Sequence, residues 1–283
     1  MATLALQQDK PIAALELFDL ALQINPHHPG TLNNIGIALL NLKRTGQALE
    51  YFDRACELQP DYAEALNNSG FALLELNQAK QALERFELAL ALQPDDAGVL
   101  NNHGMALLNL QRLEQALDSF DLALALQPND AEIHKNCGQA LLELNQLELA
   151  LERFELAIAL QPDFVEALNK RGVVLFLLKR LEQARDSFEL VIALQPDHAE
   201  ALKNSSIALL DLKQHELALE RFERVLALQP DDTETFINRG KALFQLKQFE
   251  QALDCFNQTL TIAPNNTEAL NYRGVALLEL DRL

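Results

Sequence analysis

Asparagine recurs at a fixed interval. Asn34, Asn68, Asn102, Asn136, Asn204 and Asn238 lie on one 34-residue ladder, with Lys170 in the place between Asn136 and Asn204. A second amide often stands one residue earlier, at Asn33, Asn67, Asn101 and Asn169, and Lys135 and Lys203 occupy the same column. A primary amide carries donors and an acceptor, so one Asn can pair with a peptide group in both directions. A row of them could hold the backbone of an extended ligand with little regard to its side chains. One net hydrogen bond contributes about 0.5–1.5 kcal/mol, so useful affinity needs several. The competing use is structural: the same amides could bond a neighbouring helix and fix the twist between repeats. Asn is a weak helix former, so its retention needs one of these reasons.

Other chemistry does not assemble. None of His27, His28, His103, His134, His198 and His215 has a second ligand at helical metal spacing. Cys56, Cys137 and Cys255 fall at different points of the repeat, without the spacing of a zinc site or a dithiol motif. Recurrent glycines are isolated rather than grouped into a phosphate loop, and no nucleophile, base and orienting group recur together. The expectation is therefore no catalytic residue, no cofactor and no metal. Lys and Arg number 23 against 41 Asp and Glu, a formal charge of −18. Such a field repels phosphate backbones and anionic headgroups, which argues against nucleic-acid and membrane-surface partners. It serves solubility, or a basic partner. The longest apolar run, residues 173–178, is far too short to span a bilayer. The start, MATLALQQDK, lacks a basic segment ahead of an apolar stretch, and unpaired thiols suit a reducing compartment. A soluble cytoplasmic protein is expected.

The elements that position the amides share their period. Proline returns at Pro26, Pro60, Pro94, Pro128, Pro162, Pro196, Pro230 and Pro264. With Pro29 as position 1, position 8 is Gly in every copy but Ser206, position 11 is Leu, position 20 is Ala and position 24 is Phe, from Phe18 to Phe256. Apolar positions 4, 11, 12 and 14 lie on one side of a first helix, and 17, 20, 21, 24, 28 and 30 follow a second. A Gly at 8 facing the Ala at 20 is expected to let the two backbones approach, with Phe filling the space beside them. Positions 15–18, such as residues 77–80, read as a polar turn between antiparallel helices, and proline ends the second helix. Asp or Asn at position 33 with Glu three residues on, as in Asp61 and Glu64, resembles a capping box for the next first helix. The junction at residues 26–30 lacks that pair and is expected to be looser.

This set of small, Ala, Phe, Ala and Pro positions on a 34-residue period resembles the tetratricopeptide repeat. The resemblance covers the whole chain as a single array. It comprises a partial repeat at 1–28, full repeats at 29–62, 63–96, 97–130, 131–164, 165–198, 199–232 and 233–266, and a partial repeat at 267–283. Two departures are Leu in place of the family's Trp at position 4, replaced by His134 in one copy and Phe236 in another, and Leu in place of its aromatic at 11. The resemblance implies an all-α right-handed αα superhelix, a solenoid whose first helices line a concave groove. Family members hold an extended peptide or a partner helix there. The groove residues it implies are Asn34, Asn68, Asn102, Asn136, Lys170, Asn204 and Asn238, joined by Asn67, Asn101 and Lys203. Position 9 adds Phe71, Met105 and Lys241. Phe71 and Met105 make the N-terminal groove apolar, while Lys170, Lys203 and Lys241 suggest a ligand with acidic character at the other end.

The function expected is a non-catalytic scaffold that binds protein or peptide. The alternative is the substrate-recruiting arm of a larger enzyme, since the Asn rows resemble those of O-linked N-acetylglucosamine transferases. A third possibility is spacing without any groove ligand, in which Asn68, Asn102 and Asn136 could all become Ala without losing a partner. The array ends inside a turn, so Leu277, Leu278 and Leu280 are expected to lack a covering helix and to invite homo-oligomerisation through the uncapped terminal repeats. Phe120 is expected to contribute the ~3–5 kcal/mol of a buried aromatic ring, and Phe164, outside the ladder, less.

Overall fold

The computed structural model describes residues 11–281 and divides into two compact units, residues 1–146 and 147–283. Helices of the first unit are α1 (Pro11–Ile24), α2 (Pro29–Asn41), α3 (Thr45–Leu58), α4 (Ala63–Glu75), α5 (Ala79–Leu92), α6 (Ala97–Asn109), α7 (Leu113–Leu126) and α8 (Ala131–Glu143). The second unit holds α9 (Leu147–Leu160), α10 (Val165–Leu177), α11 (Leu181–Leu194), α12 (Ala199–Asp211), α13 (His215–Leu228), α14 (Thr233–Gln245), α15 (Phe249–Ile262) and α16 (Thr267–Leu280). No strand occurs among the described residues. The division falls inside the repeat 131–164. Within each unit every helix packs on its chain neighbours, and each first helix also packs on the next first helix. The chain is an all-α tandem of helical hairpins.

The small position packs differently from expectation. In the first unit Ala48, Ala82 and Ala116 are fully buried, and so are Phe52, Phe86 and Phe120. The Phe ring itself, not the Ala, lies on the glycine: a Cβ built at Gly36, Gly70 or Gly104 would meet its ring at 2.4, 2.6 and 2.5 Å. The second unit repeats this, with Gly172 against Phe188 and Gly240 against Phe256 at 2.5 Å each. Ser206 is the exception, and its hydroxyl donates to Leu202 O at 2.6 Å, back along its own helix. Phe164, outside the ladder, is 8% exposed and also belongs to the core.

Two helix ends also correct the sequence reading. The capping residue is position 34, one later than expected. Asp96, Asp130, Asp232 and Asn266 accept from the backbone N–H of Val99, Ile133, Thr235 and Ala269. Tyr62 and Phe164 hold the same place without a side-chain cap. The junction at residues 26–30 is capped after all: His28 Nδ1 accepts from Thr31 N at 3.0 Å, with Pro29 opening α2. Between first and second helices the chain turns through a left-handed residue, φ 57–60° at Lys43, Asn77, Gln111, Asn145, Lys179, Lys213 and Lys247. In the first of these, Arg44 N bonds Leu39 O and Lys43 N bonds Leu40 O, the paired bonds of a Schellman turn. On α16, Leu277 and Leu278 are 41% and 58% exposed while Leu280 is half-buried.

Candidate functional site on the first helices

In the first unit the amide ladder is internal. Asn68 Nδ2 donates to Asn33 Oδ1 at 2.9 Å, Asn102 to Asn67 at 3.0 Å and Asn136 to Asn101 at 2.9 Å. Each rung ties one first helix to the next, α2 to α4 to α6 to α8, which is the structural use weighed above. Burial makes these bonds matter: Asn33 is fully buried and Asn136 nearly so, and a buried amide without a partner is costly. Asn33 completes its set by donating to Glu64 at 3.0 Å and, at 3.4 Å, to Tyr62. Glu64, expected to close a capping box, is instead an acceptor for the previous repeat. Asn34 is half-buried on α2. Phe71 is 38% exposed on α4, and Met105 is half-buried on α6.

In the second unit Lys203 and Lys241 are held by carboxylates. Lys203 reaches Glu234 at 2.9 Å and Asp232 at 3.3 Å. Burial alone would lower its pKa, but those two acids more than offset this and hold the ammonium above its ordinary value. Lys241 pairs with Glu268 at 2.6 Å and lies 5.4 Å over the Tyr272 ring, which stacks on Phe256. These cations are therefore partly neutralised rather than free for an acidic ligand. Lys170 is half-buried on α10.

Two adjoining hollows open among these first helices. The smaller, about 80 Å³, is an apolar slot lined by Val173, Phe176, Leu177 and Ile207, with Phe188 below and Asn204 at its side. The larger, about 650 Å³, shares Ile207 and continues along Leu210, Phe244 and Tyr272, with Asp211, Lys213, His215, Asn238, Lys241 and Gln245 as polar groups. Slot and hollow together offer apolar anchorage beside donors and acceptors. Asn204, Asn238 and Lys241 are thus brought to one surface of the second unit.

Sequence reasoning missed a second inter-repeat connection, on the second helices. Asp53 accepts from Ser69 at 3.0 Å and from Arg85 at 3.1 Å. Glu189 repeats the arrangement with Ser205 at 3.2 Å and Arg221 at 2.8 Å. These two acids, both at position 25, therefore each join three helices. Their signal was present as an acid and an Arg 32 residues apart. His103 turns to the second helix, with Nδ1 2.9 Å from Ser119 Oγ, and burial lowers its pKa. His134 Nε2 lies 3.0 Å from Pro128 O. Cys56, Cys137 and Cys255 are buried and form no disulfide, and burial pushes the Cys56 thiol up to about 11. No group of His, Cys, Asp and Glu that could hold a metal occurs among the described residues. No helix among them is long and apolar enough to cross a membrane.

Family comparison agrees with the hairpin geometry. A profile of the tetratricopeptide repeat matches residues 29–62 and 233–266, and a second profile of that repeat matches 69–131, 138–199 and 182–233. The chain belongs to the tetratricopeptide-repeat (TPR) family. Among solved structures it resembles Cut9–Hcn1, a hetero-tetramer of the APC/C, at a TM-score of 0.71 and 19% identity over 94% of this chain and 52% of that one. It thus spans about half the length of that TPR neighbour. PilF of Pseudomonas aeruginosa gives a TM-score of 0.66 at 22% identity, over 77% of this chain and 97% of that one. YrrB gives 0.52 at 26%, over 66% and 97%. Curated protein sequences give no match. These likenesses establish a TPR interaction fold.

Proposed function

We propose that this TPR protein is a non-catalytic scaffold that binds an extended peptide or partner helix along its first helices. The observation that carries the proposal is the apolar slot continuing into the 650 Å³ hollow, with Asn204, Asn238 and Lys241 at its edges. Pockets of this kind combine apolar walls with a few polar groups that fix orientation. In the first unit, Phe71, Met105 and the free valences of Asn34, Asn67, Asn68, Asn101 and Asn102 give a further contact line. The amide rungs engage one N–H each of Asn68 and Asn102 and leave the other for a ligand. YrrB, described as a TPR protein with an unusual peptide-binding site, lends support. A cytoplasmic setting is part of the proposal, supported by three buried cysteines that form no disulfide. The array at 29–266 is taken as the binding body.

Peptides selected from a random library on the full chain test it. Their affinity should fall at least about tenfold, roughly 1.4 kcal/mol, when Phe244→Ala and Ile207→Ser are combined, with the melting midpoint checked alongside. Failure to enrich any peptide, or selected peptides indifferent to that pair, would overturn the proposal.

A further inference from the structure

The second helices of the first unit carry a surface that the amide ladder does not use. α3 and α5 are bridged by Arg85 and Asp53. Along α3, one open hollow lies on each side of that bridge. The hollow toward the end of α3 has a volume of about 270 Å³ and is floored by Leu66, with Glu57 at its rim. The hollow toward the start has about 520 Å³, with Leu49 inside and Glu84 at its rim. Leu88 lines both and is 53% exposed, and Leu92, one turn later, is 44% exposed. Exposed Leu pairs recur at the same repeat positions, as at Leu122 and Leu126, and Leu88 in addition lies where two hollows meet.

Charge selects the occupant. The ionised groups lining the two hollows are three carboxylates, Asp53, Glu57 and Glu84, against one guanidinium, Arg85, a net of −2. Asp53 and Arg85 neutralise each other in the bridge, so Glu57 and Glu84, both exposed, remain to face an incoming group. The whole chain adds its −18 to the same sign, which strengthens attraction of cations and repels phosphate. Leu88 and Leu92 stand at i and i+4, the spacing at which a partner helix presents its own apolar stripe.

We propose that this furrow between α3 and α5 docks a cationic amphipathic helix of a partner protein. Its aliphatic side chains enter beside Leu88 over Leu66, and its Lys or Arg residues, a turn to either side, meet Glu57 and Glu84. The surface shares no residue with the first-helix slot and hollow, so the two sites can fail independently.

Fluorescence anisotropy with a labelled synthetic Leu/Lys helix, leucines at i and i+4 and lysines flanking them, tests the furrow on the full chain. Binding should weaken at least tenfold in Leu88→Ser/Leu92→Ser and in Glu57→Gln/Glu84→Gln. It should also weaken tenfold for a scrambled peptide of the same composition, and weaken as salt rises. Phe244→Ala, in the first-helix hollow, should leave it unchanged. All four substituted positions of the furrow are exposed, so the melting midpoints should stay with the parent. Equal binding by the furrow variants, equal binding by the scrambled peptide, or loss only with Phe244→Ala would each overturn the proposal.

Discussion

Replacing Gly104 by Ala sets two effects of opposite sign against each other. Ala is favoured over Gly inside a helix by about 1 kcal/mol, so an unopposed change in α6 would stabilise the protein. The new methyl, however, would lie 2.5 Å from Phe120 Cε1, 2.8 Å from Cδ1 and 2.9 Å from Cζ. Contacting carbons settle near ~3.5–4.0 Å, so the ring must retreat by about 1 Å. Phe120 is fully buried and has no solvent to move into. Overpacking of this kind costs about 1–3 kcal/mol. Gly274 holds the same repeat position in α16, and a Cβ there would meet nothing within 4 Å. At Gly274 only helix propensity acts. The two substitutions should therefore differ by about 1–3 kcal/mol, with Gly104→Ala the less stable. Urea unfolding followed by far-UV circular dichroism measures this, with amide exchange on α6 and α7 locating the loss. Trimming the ring with Phe120→Leu carries its own cost in this buried site, but it should relieve the clash, so Gly104→Ala should cost less in the Phe120→Leu background than in the parent. If both alanines stabilise equally, or Phe120→Leu brings no relief, the ring-on-glycine contact does not govern this position.

Lys43 sits at φ 58° in the turn after α2. Lys43→Gly should stabilise by about 0.5–1 kcal/mol, the left-handed penalty less the extra freedom of unfolded Gly, and a lower thermal midpoint would contradict this. Asn102→Asp puts a carboxylate oxygen where Nδ2 donates to Asn67. It should destabilise by about 1–3 kcal/mol at neutral pH and recover in acid as the carboxyl becomes a donor, which chemical denaturation at two pH values would reveal. Burial lowers the pKa of His103, so the unfolded chain takes up this proton first. The stability that neutral His103 contributes is present above the unfolded value, about 6.5, and is lost as pH falls from there toward the folded value. His103→Gln should flatten the melting midpoint's slope between about pH 7 and 5, and an unaltered slope would exclude the effect.

The hairpin order was legible because the features that define it are periodic: proline stops, Phe and Ala in the core, and Leu at one helical face. Local choices made by single side chains were not. Capping moved one residue because Asp96 and Asp232 can reach the third helical N–H whereas Asp61 and its equivalents stand a step too early. Tyr62 shows that the backbone keeps this position even without a capping side chain. Which atoms the ladder amides use depended on the distance between successive first helices, which no single repeat encodes. The lysines of the second unit looked like a basic groove because their partners, Glu234 and Glu268, lie in the following repeat. The furrow between α3 and α5 was hidden for the same reason, being made by residues 53 and 85 from separate copies.

The two kinds of inter-repeat tie differ in how they would survive a change in array length. Excising residues 63–96 would bring Asn102 onto Asn33, one amide in place of another, so that rung closes unaltered. The same excision would face Asp53 with Ser119 where Arg85 had been, leaving an acid without its cation. Loss of this module would thus keep the amide rung while removing Glu64 as an acceptor for Asn33, and would break the ionic tie outright. Any lineage that alters its copy number should show the mark first in its charged pairs.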